Sequence, residues 1–252
     1  MRVGLAQFDI QWETPDVNLE IVRSKVTSDL DLIVFPEMFL TGFSMDPHNI
    51  AEKMDGPRIQ ALQSLADDHG TAIMGSLIVE EEGQLYNRML LFTPNGTIQS
   101  YDKRHLFTFG GEGRNYTAGN TDGIFQLGDW KICARICYDL RFPVWCRNTS
   151  EYDLIVFVAS WPKTRHHAWL NLVQARAIEN QAFSIGVNRT GFDGNELAYL
   201  GGSLAVDYNG DVLANANDSN DVMVVELNKQ HMLEYRQKLP FLPDQDKFTI
   251  HE

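Results

Sequence analysis

Three reactive residue types stand at the ends of apolar runs, and together they would make a nucleophile, a base and a cation. Cys137 follows the apolar stretch 130–136 and precedes Tyr138-Asp139-Leu140-Arg141-Phe142-Pro143. A cysteine at a strand-to-helix elbow presents its sulfur at a sheet edge, beside backbone N–H groups able to hold an oxyanion. A free cysteine is most often a small buried hydrophobe, and Cys133 and Cys146 are read that way. Cys137 is set apart by the charged residues crowding its C-terminal side. A thiol nucleophile needs a base. Glu37, in Pro36-Glu37-Met38-Phe39, ends the run 31–35, and its apolar neighbours would partly desolvate the carboxylate, which suits a general base. Lys103, in Tyr101-Asp102-Lys103-Arg104-His105-Leu106, ends the run 97–102 and could stabilise a developing oxyanion by charge. His105 offers a rival cysteine–histidine pairing of the protease type.

A scaffold must deliver these residues, and composition excludes several kinds. The chain has 252 residues, 44% of them hydrophobic, enough to bury a sizeable core. Lys and Arg number 21 against 34 Asp and Glu, a net charge of −13. A surface that acidic repels phosphate backbones and anionic headgroups, so neither nucleic acid nor a membrane is expected as a partner. No run of eighteen apolar residues could span a bilayer. Residues 1–7 carry neither a secretory h-region nor a cleavage site, so the expected compartment is the cytoplasm. An odd cysteine count argues against a disulfide framework. Adjacent His166 and His167 lack the i, i+4 spacing of zinc ligands, and Cys133 and Cys137 lack the C-x2-C spacing, so no metal is expected. With no G-x-G-x-x-G and no P-loop string, no cofactor is expected either.

Apolar runs alternate with amphipathic stretches. Residues 3–10 read as a strand, 17–26 as a helix, and 31–35 as a buried strand ended by Pro36. Residues 57–69 read as a helix with Pro in its first turn and Gly70 beyond its end. Strands follow at 71–79, 86–93 and 97–102, the last two joined by the turn Pro94-Asn95-Gly96. Segments 124–127 and 130–136 pair around Gly128-Asp129. Then come a strand at 153–158, a helix at 166–180 and a strand at 182–188. Strands 200–207 and 222–227 flank the turn Asn209-Gly210. Mixed parallel and hairpin signals predict a layered α/β sandwich, and the absence of a linker predicts one domain over 1–252. Asp31-Leu32-Ile33-Val34-Phe35 recurs as Asp153-Leu154-Ile155-Val156-Phe157, each followed by polar, loop-like sequence. Two strands of one design would deliver their carboxyl ends to one edge, where α/β folds place their sites.

The segments Pro36-Glu37-Met38-Phe39, Tyr101 to Leu106 and Cys137 to Pro143 resemble, in order and separation, the three signature segments of the nitrilase superfamily of carbon–nitrogen hydrolases. The resemblance covers essentially the whole chain. It implies a four-layer α-β-β-α sandwich, commonly dimerised through a helical layer. It implies Glu37 as general base, Cys137 as nucleophile, and Lys103 as the cation beside the tetrahedral intermediate. The Tyr138 backbone N–H would share that oxyanion. Glu112, in Gly110-Gly111-Glu112-Gly113-Arg114, is similar to the family's second glutamate, although its glycine-rich setting departs from many members. Within the superfamily the chain looks like the omega-amidase branch, which hydrolyses 2-oxoglutaramate and similar dicarboxylic acid monoamides. That likeness rests on Thr41-Gly42-Phe43, residues 141–145, residues 161–167 and Ala175-Arg176-Ala177-Ile178-Glu179-Asn180-Gln181.

A substrate bearing a carboxylate would need a local cation besides Lys103 in so acidic a protein. Arg165, after Ser160-Trp161-Pro162, is the candidate, since a guanidinium can grip a carboxylate in bidentate fashion. Phe43, Phe109, Tyr116 and Trp161 are candidate pocket walls, whereas Arg141 and Arg176 are expected to serve in structural ion pairs. Three alternatives stay open. One is another carbon–nitrogen substrate (a nitrile, an N-carbamoyl compound or an amidated peptide-like acid). The others are a Cys137–His105 protease and a catalytically silent binding protein.

Overall fold

A computed structural model describes residues 1–250; His251 and Glu252, the end of the 1–252 span expected to form one domain, lie outside the described residues. The chain runs β1 (Arg2–Ala6), α1 (Pro15–Lys25), β2 (Leu32–Val34), α2 (Pro57–His69), β3 (Ala72–Glu81), β4 (Gln84–Phe92), β5 (Ile98–Asp102), β6 (Ile124–Leu127) and β7 (Trp130–Ile136). After these come β8 (Leu154–Ala159), α3 (His166–Asn180), β9 (Phe183–Asn188), β10 (Thr190–Phe192), β11 (Ala198–Leu200), β12 (Leu204–Val206), β13 (Val212–Asn215), β14 (Val222–Glu226) and α4 (Lys229–Lys238). The central strands β2, β8 and β9 are buried at every position, so both faces of each sheet must be covered. The cover comes from four layers. One apolar cluster joins Leu5, Val34 and Met74 of one sheet to Ile136, Val156 and Val187 of the other. A second packs Val22, Leu62 and Ala66 of α1 and α2 on the outer face of the first sheet. A third packs Trp169, Val173 and Ala177 of α3 on the outer face of the second.

The two six-stranded sheets have one plan. The first is ordered β14-β1-β2-β3-β4-β5 and the second β13-β12-β9-β8-β7-β6. In each, three adjacent strands are parallel, β1-β2-β3 and β7-β8-β9, flanked by one antiparallel strand on one side and two on the other. The repeated Asp-Leu-Ile-Val-Phe pentapeptide supplies the middle parallel strand of both. The carboxyl ends of β2 and β8 meet, because the Ser160 N–H beyond β8 donates to the Glu37 carboxylate beyond β2 at 2.8 Å.

Most expected elements form within a few residues of their predicted limits, and the departures have local causes. Helix α2 begins at Pro57 and ends against Gly70, whose φ of +64° is the left-handed cap that glycine adopts without strain. The strand expected over 3–10 stops at Ala6, and Phe8 and Ile10 are buried from a loop instead. The strand expected over 200–207 is broken by Gly201 and Gly202, both at positive φ, into the ends of β11 and β12. The strand that follows the Asn209-Gly210 turn is β13; residues 222–226 cross to the other sheet and pair with β1. Neither the β10–β11 hairpin nor α4 was anticipated, the first for its brevity and the second for its polar composition.

Trp169 is the fully buried anchor of α3, and its indole N–H donates to the Gly202 carbonyl at 2.8 Å. Gly186 of β9 lies so close beneath the ring that a Cβ would stand 2.6 Å from it. Trp169→Ala should therefore cost about 3–5 kcal/mol of stability, measured by urea unfolding, through the cavity and the unpaired carbonyl.

Candidate active site

Glu37, Lys103, Glu112 and Cys137 converge at one edge of the two sheets. Glu37, Lys103 and Glu112 have no solvent exposure. The Lys103 ammonium donates to Glu37 Oε1 at 2.9 Å and to Glu112 Oε1 and Oε2 at 3.0 and 2.9 Å. Burial opposes its charge, but the two carboxylates, Glu112 first, outweigh burial and hold the ammonium above its usual range. Glu112 is pushed the other way from an ordinary carboxyl, upward, by burial, although Lys103 counters this. Its loop closes on itself: Glu112 Oε2 accepts the Phe107 N–H at 2.5 Å.

Glu37 is held by turn geometry. Met38, the next residue, has φ +47°, a left-handed conformation that costs a non-glycine residue strain. Ser76 on β3 offsets the cost, its hydroxyl accepting the Met38 N–H at 2.9 Å. Cys137 has the same kind of backbone, φ +44°, where β7 turns into the short 3-10 helix Cys137–Arg141. Asp139 ties that elbow down, accepting from the Ile136 N–H, the Tyr101 hydroxyl and the His105 backbone N–H. The Cys137 thiol is pushed well above its usual range, by burial and then by the Glu37 carboxylate, against the pull of Lys103. At neutral pH it is therefore a thiol.

Cys137 opens into a cavity of about 200 Å³. Phe43, Trp161, Arg165 and Tyr138 line it, as expected for the first three from the sequence. Two candidate walls are corrected. Tyr116 turns inward, its hydroxyl donating to the Ser44 carbonyl at 2.6 Å, and packs with Met38 and Leu85. Phe109 is 91% exposed, while Phe107 takes the place at the wall and carries the Arg165 guanidinium 5.3 Å above its ring. Arg176 forms its expected ion pair with Glu179 at 2.9 Å. Arg141 does not: it is exposed on the cavity wall, 4.8 Å over the Trp161 ring, with no carboxylate within ion-pair distance among the described residues. Arg165, half-buried, likewise has no carboxylate within ion-pair distance among the described residues. Asp193, across the cavity, spends its oxygens on Tyr199 and on the Asn195 and Leu197 N–H groups of its own hairpin. The protease-type pairing fails, because His105 turns Nδ1 to Asp139 at 2.8 Å and stacks on Phe142, away from the cavity.

Sequence reasoning missed Asn87, on β4, which donates to both Glu37 and Glu112. Its one signal was an amide in an otherwise apolar alternation, Leu85, Met89 and Leu91 sharing its side of the strand. No cluster of three or more His, Cys, Asp or Glu among the described residues is arranged to ligate a metal.

The model of the carbon–nitrogen hydrolase family matches residues 2–237. The chain belongs to that family. It is 38% identical to the omega-amidase YafV of Escherichia coli K12, over 99% of this chain and 98% of the relative. It is 35% identical to the 2-oxoglutaramate amidase of Bacillus subtilis 168, over 96% of each. Among solved structures, XC1258 from Xanthomonas campestris, a CN-hydrolase superfamily protein, superposes with a TM-score of 0.96 at 38% identity, covering 100% of this chain and 99% of that one. The family's sandwich is thus the fold expected from the three motifs.

Two outcomes follow from the buried charges of this carbon–nitrogen hydrolase. Lys103→Met leaves two carboxylates buried without a counter-charge and should cost about 3–5 kcal/mol; adding Glu112→Gln should recover part of that in urea unfolding. Asp139 is opposed by burial, yet His105, the Ile136 N–H and Arg135 hold its carboxyl below the usual range. A depressed folded-state value gives stability that is fully present above the unfolded carboxylate value and is lost as pH falls through the folded one. Asp139→Asn should therefore flatten the acid side of the stability–pH curve, followed by thermal melts between pH 7 and 3.

Proposed function

We propose that this enzyme hydrolyses the terminal amide of small dicarboxylic acid monoamides, such as 2-oxoglutaramate, to the acid and ammonia through a Cys137 thioester. The observation that carries the reading is the cavity itself. Its floor holds a thiol beside a buried carboxylate and ammonium, and its wall holds two guanidinium groups, Arg141 and Arg165, with no carboxylate of their own among the described residues. An amide reacts at the floor while a carboxylate at the far end of the substrate meets the arginines. The omega-amidase and 2-oxoglutaramate amidase relatives, at 38% and 35% identity, support the same class.

In the first half-reaction Glu37 takes the Cys137 proton as the sulfur attacks the amide carbon. The oxyanion sits between the Lys103 ammonium and the Tyr138 backbone N–H, donors whose loss costs roughly 10²–10³-fold in rate at comparable sites. Glu37 returns the proton to the leaving nitrogen, ammonia departs, and the thioester remains. In the second, Glu37 draws a proton from water, hydroxide adds to the thioester carbon, and the acid leaves as the thiol re-forms. One carboxylate serves both halves because nothing but its proton changes. The free thiols fit a reducing compartment, and we place the enzyme in the cytoplasm. We expect a homodimer, which would cover apolar side chains left exposed, Ile178 of α3 and Phe241 among them.

Ammonia release from 2-oxoglutaramate, glutamine and a simple nitrile tests the reading. Turnover of the oxo-acid amide, abolished in Cys137→Ala, is expected. Arg141→Ala and Arg165→Ala should each raise KM for that substrate about 10–100-fold, the worth of a hydrogen bond to a charged group, and leave a neutral amide unaffected. Equal effects on both substrates would remove the arginine clamp, and inactivity on every amide would remove the substrate class.

A further inference from the structure

Asn87 stands where an amide is costly. On β4 it shares a strand face with Met89 and Leu91, which fill the core between the sheets, and it has no solvent exposure. Its Oδ1 has no hydrogen-bond partner among the described residues. A buried polar group left unpaired is a cost that packing does not repay. What Asn87 does hold is the charge cluster. Nδ2 donates to Glu37 Oε1 at 2.8 Å and to Glu112 Oε1 at 3.2 Å, and the Asn87 carbonyl accepts the Lys103 N–H at 3.0 Å. The amide must face this way, since an oxygen turned to two carboxylates would repel both.

The hydrogen-bond count on Glu37 is unequal. Oε1 accepts from Asn87 and from Lys103, which uses both of its lone-pair directions. Among the described residues Oε2 accepts only the Ser160 N–H and keeps one direction free. We propose that Asn87 is a positioning residue that fills Oε1, so that Oε2 is the atom which exchanges the proton with Cys137, the substrate nitrogen and water. This rests on the assignment of Glu37 as the base in the proposed reaction. Without the amide, Glu37 could rotate toward Lys103 and Glu112 and withdraw its free oxygen from the thiol.

Asn87→Leu keeps the side chain's heavy-atom count and branching and removes both donors; Asn87→Ser leaves a hydroxyl that can serve one carboxylate at most. Asn87 does not line the cavity, so kcat should fall roughly tenfold to a hundredfold in Asn87→Leu with KM unchanged. Loss of a donor disfavours a charged carboxylate, so the acidic limb of kcat/KM should move up by about one pH unit. The ionisable groups facing Glu37 are Lys103 at the end of β5, Glu112 in its loop, Cys137 at the elbow, and Tyr116 and Tyr199 beyond. None is altered by the substitution. Alkylation of Cys137 by iodoacetamide across pH gives the same limb without any amide substrate. A folded Asn87→Leu enzyme with native kcat and native limbs, or with only KM raised, overturns the proposal. If that variant does not fold, Asn87→Ser decides, an unmoved limb overturning and a smaller shift in the same direction supporting it. If native enzyme turns over no amide while the alkylation limb still moves, the substrate class fails and the positioning role stands.

Discussion

A lysine ammonium without solvent exposure, held between two carboxylates equally buried, is the constraint on which the rest of this structure depends. Removing such charges from water costs several kcal/mol for each ion, and mutual attraction repays it only when the remaining lone pairs are also satisfied. Apart from one direction on Glu37 Oε2, the protein meets that condition with groups drawn from separate elements: the Asn87 amide from β4, the Ser160 N–H from beyond β8, and the Phe107 N–H from the loop after β5. The two sheets must therefore dock in one register, and the loop from Lys103 to Glu112 must fold back on itself. Stability and chemistry share the same hydrogen bonds here. The cluster that is expensive to bury is the one that holds a carboxyl group and a cation beside a neutral thiol.

The duplicated sheet plan explains how one edge collects so much. Each sheet brings its middle parallel strand to that edge, and the residue after the strand differs: Glu37 follows β2 and Ser160 follows β8. The pentapeptide likeness is the trace of that plan in the sequence, since a strand buried on both faces draws on few residue types. Two of the eight non-glycine residues at positive φ lie at the same edge. Met38 and Cys137 both sit at positive φ, and each is held by a neighbour, Ser76 and Asp139, whose hydrogen bonds over-determine the turn. Electrostatically the site runs against the molecule: in a chain of net charge −13, two guanidinium groups on one cavity wall have no carboxylate within ion-pair distance among the described residues.

Arg141 and Arg176 show where reading stopped. Both sit in helical turns beside acidic residues, and the same ion-pair role suited either. Arg176 finds Glu179 on its own helix, an i, i+3 neighbour that spacing can forecast. Arg141 lies on a short 3-10 turn that swings it over Trp161, twenty residues on, and no local rule reports that. Tyr116 and Phe109 were misplaced for the same reason: an aromatic near a site is a wall or packing according to a backbone direction that hydropathy does not encode. Polar α4 and the three-residue strands of the β10–β11 hairpin have too little periodicity to read, although that hairpin supplies part of the cavity rim.

The sequence by itself determined the alternation of strands and helices, the caps of α2, the turns at Pro94-Asn95-Gly96 and Gly128-Asp129, and the three segments that carry Glu37, Lys103 and Cys137. Those are local matters of periodicity, turn chemistry and residue type within a few positions. Tertiary structure alone decided that Asn87 reaches Glu37 across 50 residues, that Ser160 reaches it across 123, that His105 belongs to Asp139, and that Arg141 lies over Trp161. Such contacts depend on the register of two sheets against each other, and burial of charge sets that register only once the whole core has closed.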